Sequence, residues 1–222
     1  MKNSFPDRRL IGTVCAALLG TSLTTPILGR AAYAAITEGA TPRYVPAQTR
    51  VVLLPMVNES GEKDRKQRAD QVATGQKELE KQFQSRGFNI VGSLSVDKAL
   101  ADLKIDLADE ENHNRAALYK IGSALNADVV AFVVITNVDQ KRVQRPFGDD
   151  DHQLETRANI KVWLLDVKRQ EAILSAVRQE AQAKNVLFAS FDSGARLIRK
   201  SVEGAVRDSL KEVLSSYPVV SK

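Results

Sequence analysis

The chain has 222 residues, 32 Lys and Arg against 27 Asp and Glu, and a single cysteine, Cys15. Four of the basic residues and one acid lie in the first 34, so the formal charge of +5 falls to +2 over residues 35–222. Later Lys and Arg alternate with acids, as in GEKDRKQRAD and VRDSLKEV, which suits solvated helix faces and excludes a basic nucleic-acid footprint.

Residues 1–34 have the layout of an export signal. Lys2, Arg8 and Arg9 form a charged head, Leu10 to Gly29 an uncharged middle, and Ala32-Tyr33-Ala34 a small-x-small cleavage site. The middle is long enough to cross a bilayer. Gly12, Gly20, several threonines and Pro26 dilute it, so cleavage is the expectation and no membrane span remains afterwards. Arg8-Arg9 also admits the twin-arginine route. Cys15 lies inside the signal after a poor lipidation lead-in, which leaves residues 35–222 without a disulfide, a thiol nucleophile or a thiolate metal site.

Residues 35–48, AITEGATPRYVPAQ, have no periodicity and hold Pro42 and Pro46, as expected of an extended linker. Residues 49–217 are expected to form one α/β domain, followed by a tail at 218–222. Val51 to Leu54, stopped by Pro55, reads as a strand covered on both faces. A helix is predicted from Asp64 to Arg86, its stripe running through Ala69, Val72, Gln76, Leu79 and Phe83 and its end set by Gly87. FNIVG (88–92) is a second short strand. Ser95 is placed to cap a helix with Asp97 in its first turn, and Asp109 to cap another through Leu118, Ile121 and Leu125.

Asp128 to Val138 is apolar and β-branched, the central strand of the sheet. From Gln153 to Val167 the period is two, a strand signal. KRQ (168–170) turns the chain into an antiparallel return, EAILSAVRQEAQA. A long helix is predicted from Phe188 to Tyr217, stopped by Pro218. The order is β-α-β-α-α-β-β-β-α, a mixed sheet of about five strands flanked by helices. Residues 140–153 are expected to be a charged loop.

LLPMVNESG, RGFNIVGSLSVDKAL and LYKIGSALNADVVAFVVI, in that order, resemble the α/β domain of the curli-secretion channel subunit. They are similar also to the amino-terminal domain of the Tol-Pal translocation protein and to periplasmic activators of penicillin-binding proteins. The resemblance spans residues 49–217. It implies a periplasmic or outer-membrane-associated module that docks to an envelope protein or cell-wall component, without catalysis, and that can form a homo-oligomer. Two departures stand out: the lipid-attachment cysteine of many such proteins is missing, and the charged 140–153 loop could not face lipid cheaply, as a channel hairpin must.

Chemical motifs are weak. Asn58-Glu59-Ser60-Gly61 lacks the clustered glycines and the Lys of a phosphate loop and reads as a turn. Asp149-Asp150-Asp151-His152 has neither the alternate spacing nor the closing Glu of a calcium loop, so it reads as a solvated hairpin tip. Glu110-Glu111 beside His113 is explained by a helix start. His113 and His152 are the only imidazoles, and neither sits in a nucleophile motif. No catalytic, cofactor or metal residue is therefore assigned, and no cofactor is expected. Trp163 and Leu165, on the strand face opposite Ile160, Val162 and Leu164, are the candidate partner-docking patch unless a helix covers them. The favoured function is a non-catalytic envelope interaction module. A hydrolase with an unmarked site would need a cleft with convergent polar groups. A ring-forming secretion-type oligomer is the other alternative. Gly122 is expected to let its helix approach the sheet closely.

Overall fold

The computed structural model describes residues 43–144, 152–185 and 191–220. Six strands form one mixed sheet: β1 (Arg50–Leu53), β2 (Val57–Asn58), β3 (Asn89–Ile90), β4 (Val129–Gln144), β5 (His152–Asp166) and β6 (Glu171–Asn185). Four helices accompany them: α1 (Arg65–Gln84), α2 (Ser93–Leu103), α3 (Arg115–Ala124) and α4 (Phe191–Leu214). The sheet runs β3-β1-β4-β5-β6. β1 is parallel to both β3 and β4, and β5 is antiparallel to both β4 and β6. The predicted α/β class and helix order are as observed.

β2 is the strand that the sequence did not offer. It pairs in parallel with Val134 and Ile135 of β4. Pro55 cannot donate to a ladder, so the run that begins at Arg50 leaves the sheet and rejoins it two residues later. Alternation then separates the neighbours Asn58 and Glu59: Asn58 faces α1 and Glu59 faces the α2–α3 side.

Two cores result, one on each face. On one, Val51, Leu53, Val133, Ile135, Ile160, Val162 and Leu164 pack against Leu79 and Phe83 of α1 and Val202, Val206 and Leu210 of α4. On the other, Val52, Leu54, Val130, Phe132, Trp163 and Leu165 pack against Val96 of α2 and Leu118 and Ile121 of α3. Burial on both faces is why these strands read as continuous apolar runs. In α4 the two buried polar residues satisfy themselves: Ser201 and Ser209 Oγ donate to the carbonyls of Ile198 and Val206 at 2.8 and 2.7 Å.

Several boundaries move. In α1 the buried side is Gln71, Gly75, Glu78, Leu79 and Phe83, while Ala69 is exposed. The stripe turned because Gly75, with no side chain, is where the helix meets Met56 and Val202. α2 starts at Ser93 with Gly92 as its N-cap, so Ser95 lies inside the first turn and caps nothing. Asp109 caps only a single 3-10 turn, Glu110–Asn112, and Asn114 caps α3 by accepting from the Ala117 N–H at 2.9 Å. His113 breaks the helix between these caps by turning its ring into the core. Arg43 to Gln48, expected within the linker, are part of the fold, with Pro46–Gln48 in a 3-10 turn. The chain also continues past Tyr217, where the Val220 N–H donates to the Ser85 carbonyl at 2.7 Å.

β4 runs six residues beyond the end predicted for it, while β5 keeps its predicted span to within one residue at each end; the two pair from Val129↔Asp166 to Gln144↔His152. The expected 140–153 loop is thus strand at both ends, and its remainder, with Asp149 to Asp151, lies outside the described residues. Extra residues interrupt this ribbon at three places: at Thr136 in β4, at Ile173 in β6, and at Ser175–Ala176 in β6 opposite Trp163, where Ala176 takes φ +53°.

Candidate interaction surface

In the turn at residues 58–61 the Asn58 side chain and the backbone are spent on the fold. Asn58 Oδ1 accepts from the Ser60 N–H at 3.0 Å, its Nδ2 donates to Gln71 Oε1 at 2.7 Å, and Gly61 supplies φ +77°. The predicted turn is present, beginning at the last residue of a strand that was not predicted. Its N–H groups do not converge on an empty centre, since the Glu59 N–H donates to the Ile135 carbonyl at 2.8 Å.

On the opposite face Glu59 reaches His113. The His113 side chain is 4% exposed, its Nδ1 3.3 Å from Glu59 Oε1. Its Nε2 donates to the Leu107 carbonyl at 2.8 Å. The ring stands edge-on to Phe132 and Trp163, with centroids 5.0 and 6.1 Å away. Both ring nitrogens are therefore held, and the imidazole pins the α2–α3 connection to the β2–α1 loop. Glu110 and Glu111 stay outside this contact and are exposed. Among the described residues, no three His, Cys, Asp or Glu side chains come together as a metal site.

Trp163 and Leu165 are not a docking patch. They are 4% and 0% exposed, sealed beneath α2 and α3. The physical reason is the one that governs any sheet flanked by helices: both faces of β5 are covered at this level, so its apolar side chains alternate into two cores.

A second polar cluster is not legible in the sequence because Tyr44 and Asp166, at its centre, are 122 residues apart. Asp166, 3% exposed, accepts from Tyr44 Oη at 2.7 Å and from the Arg169 N–H at 2.9 Å, with Arg43 Nη2 at 3.3 Å. Arg43 also bonds Glu171, and the Tyr44 N–H donates to Tyr217 Oη at 3.0 Å. Burial, then the bond to Asp166, pushes the Tyr44 phenol well above its ordinary value. Nearby, Asp128 takes Lys168 Nζ at 2.5 Å and the Arg50 N–H at 2.7 Å. Burial alone would raise the Asp128 carboxyl, but these hydrogen bonds outweigh it and hold it below its ordinary value. Each cluster anchors one piece of chain to another.

What is left uncovered is the outer part of the β4–β5–β6 ribbon. α4 packs along one of its faces, burying Leu154, Thr156, Ala158 and Ile160. The α2–α3 layer ends near Val134↔Lys161, so the other face has no covering element among the described residues. That face presents Asn137, Asp139 and Lys141 from β4, and Glu155, Arg157, Asn159 and Lys161 from β5. β6 adds Arg178 and Glu180, both exposed. Arg157 lies 3.9 Å from Glu180 across the strands. Only strict alternation beyond residue 153 signalled this surface in the sequence.

The fold and this surface define a class: an α/β domain with one open, mixed-charge sheet face and no helix among the described residues long and apolar enough to cross a membrane. No protein-family model and no curated protein matches the chain. Among solved structures, the chain is similar to lipoprotein GNA1162 from Neisseria meningitidis, at 14% identity over 72% of this chain and 99% of that one, TM-score 0.42. It is also similar to the LpoB C-terminal domain from Salmonella enterica, at 13% over 64% and 86%, TM-score 0.37. A third similarity is to PelC from Paraburkholderia phytofirmans, solved as a dodecamer, at 10% over 81% and 94%, TM-score 0.36.

Proposed function

We propose that this chain is an exported envelope protein whose α/β domain works without catalysis, docking through the open face of the β4–β5–β6 ribbon to another envelope protein. One observation carries the reading. The buried titratable side chains His113 and Asp166 are engaged in holding the fold, whereas the sheet face left uncovered among the described residues is lined by charged and amide groups. A flat face with both signs of charge suits a protein partner of complementary pattern, read through salt-sensitive pairs and hydrogen bonds. Export rests on the layout of residues 1–34, with cleavage after Ala34.

The test is in-cell photo-crosslinking. A photoreactive residue at Arg157 or Asn159 is expected to give a discrete adduct with an envelope protein. The same residue at exposed Lys77 on α1 should give none. Equal adducts from both places, or none from either, would refute the docking face. An amino terminus still carrying residues 1–34 would refute cleavage.

A further inference from the structure

The contact between His113 and Glu59 holds a chemical imbalance. Both atoms that the ring faces are acceptors: the Leu107 carbonyl, 2.8 Å from Nε2, and Glu59 Oε1, 3.3 Å from Nδ1. A neutral imidazole has one N–H and one lone pair, so it can serve only one of them. With its proton on Nε2 to meet Leu107, it turns the Nδ1 lone pair on a carboxylate. Only the doubly protonated ring donates to both. The His113 side chain is 4% exposed, so solvent does not substitute for a missing partner.

We propose that this contact is a proton-operated latch, which holds the β2–α1 loop to the α2–α3 connection while His113 carries two protons and releases it when Nδ1 gives one up. The charges around the ring set the direction. From the β2–α1 loop, Glu59 faces Nδ1, whereas Glu62 accepts from the Asp64 N–H at 2.9 Å. In the ring's own connection, Asp106 and Asp109 accept from the N–H groups of Ala108 and Glu111, and Glu110 and Glu111 are exposed. Arg115, at the start of α3, donates to Ser175 Oγ at 2.9 Å. α2 and β4 present apolar side chains, Val96, Leu100, Phe132 and Val134. On β5, Trp163 is followed along the same face by half-buried Lys161, whose charge works against a second proton on the ring. Acid therefore closes the latch through Glu59, and base opens it. The latch sits where the covered part of the sheet ends. The Glu59 N–H donates to the Ile135 carbonyl at 2.8 Å, just before the extra residue at Thr136 and the open ribbon beyond it. A released loop gives up that bond, so the uncovered stretch of β4 then begins at Ile135. This inference does not depend on what the open face binds.

The test is amide hydrogen exchange read by NMR on the full chain as the cell processes it. It runs from pH 5 to 8, the interval in which an imidazole gains or loses its proton, with rates corrected for the pH dependence of free amide exchange. Protection of the Glu59 N–H should fall by about fivefold across that interval, as expected for the loss of one partly exposed charged contact. The His113 ring should show two N–H nitrogens at the acid end and Nε2–H alone at the alkaline end. The Leu54 N–H, bonded to the Ala131 carbonyl at 2.9 Å on the same edge of β4, should keep its protection. Glu59→Gln supplies an amide N–H that a neutral Nδ1 can accept, so in this variant protection at residue 59 should stay level. The wild type decides the matter by itself if the variant fails to fold. Unchanging protection in the wild type, a ring in one protonation state throughout, a loss shared by Leu54, or a fall as steep in Glu59→Gln would overturn the proposal.

Discussion

Replacing Gly122 by alanine tests how closely α3 lies on the sheet. A Cβ there would stand 2.6 Å from Val130 Cγ2 and 2.6 Å from Val167 Cγ2. Carbon atoms normally approach to about 3.5 Å, so the helix must lift by nearly an ångström or two valines must turn. Both valines are β-branched, with few alternative rotamers, and both are buried. Removing a helical glycine contributes about 1 kcal/mol, and overpacking of this kind costs about 1–3 kcal/mol. With two rigid contacts the cost sits at the upper end, for a net loss of about 2 kcal/mol. In a domain of this size that lowers Tm by roughly 4–8 °C. Gly75 is the control. A Cβ there would meet Met56 Sδ at 2.5 Å and Cε at 2.8 Å, the end of a flexible thioether that can swing aside, and Val202 Cγ1 at 3.2 Å, which needs a shift of only a few tenths of an ångström, so Gly75→Ala should stay within about 1 kcal/mol of wild type. Urea unfolding at constant m-value reads both. A Gly122→Ala protein as stable as wild type, or a Gly75→Ala protein that loses more, refutes the reasoning.

Two further outcomes are expected. Trp163→Ala should cost about 3–5 kcal/mol by opening a cavity beneath α2 and α3; the only tryptophan should emit as a buried indole in the wild type and shift to the red on unfolding, and emission already typical of water would contradict its burial. The Tyr44 phenol is raised above its ordinary value of 10.0 by burial and by Asp166, so the folded state holds that proton longer than the unfolded chain. Its contribution is whole below about pH 10 and falls as pH rises beyond that value. Tyr44→Phe should cost about 1 kcal/mol at neutral pH and flatten the loss of stability between about pH 9 and 11, measured by urea midpoints; an equally steep alkaline limb in the variant would rule this out.

The amino-acid pattern by itself determined the order of elements and the division of side chains between inside and outside. β-branched runs such as Val129 to Ile135 and the period-two stretch of β5 act locally, through sterics and alternation, so they are legible in the text of the chain. Gly122 was readable for the same reason, being a small residue amid larger apolar ones. β2 was hidden because two residues between a proline and a turn carry too little pattern, and only the neighbouring β4 makes them a strand. Trp163 looked like a patch because a chain cannot state which helix will cover a given face. The tertiary structure alone decided that α2 and α3 seal it while the ribbon beyond Lys161 stays open. It also brought Tyr44 to Asp166 and Glu59 to His113, contacts between residues far apart in the chain. Local propensity is written residue by residue, whereas coverage and long-range pairing depend on the layers packing together, and that information exists only once the chain has folded.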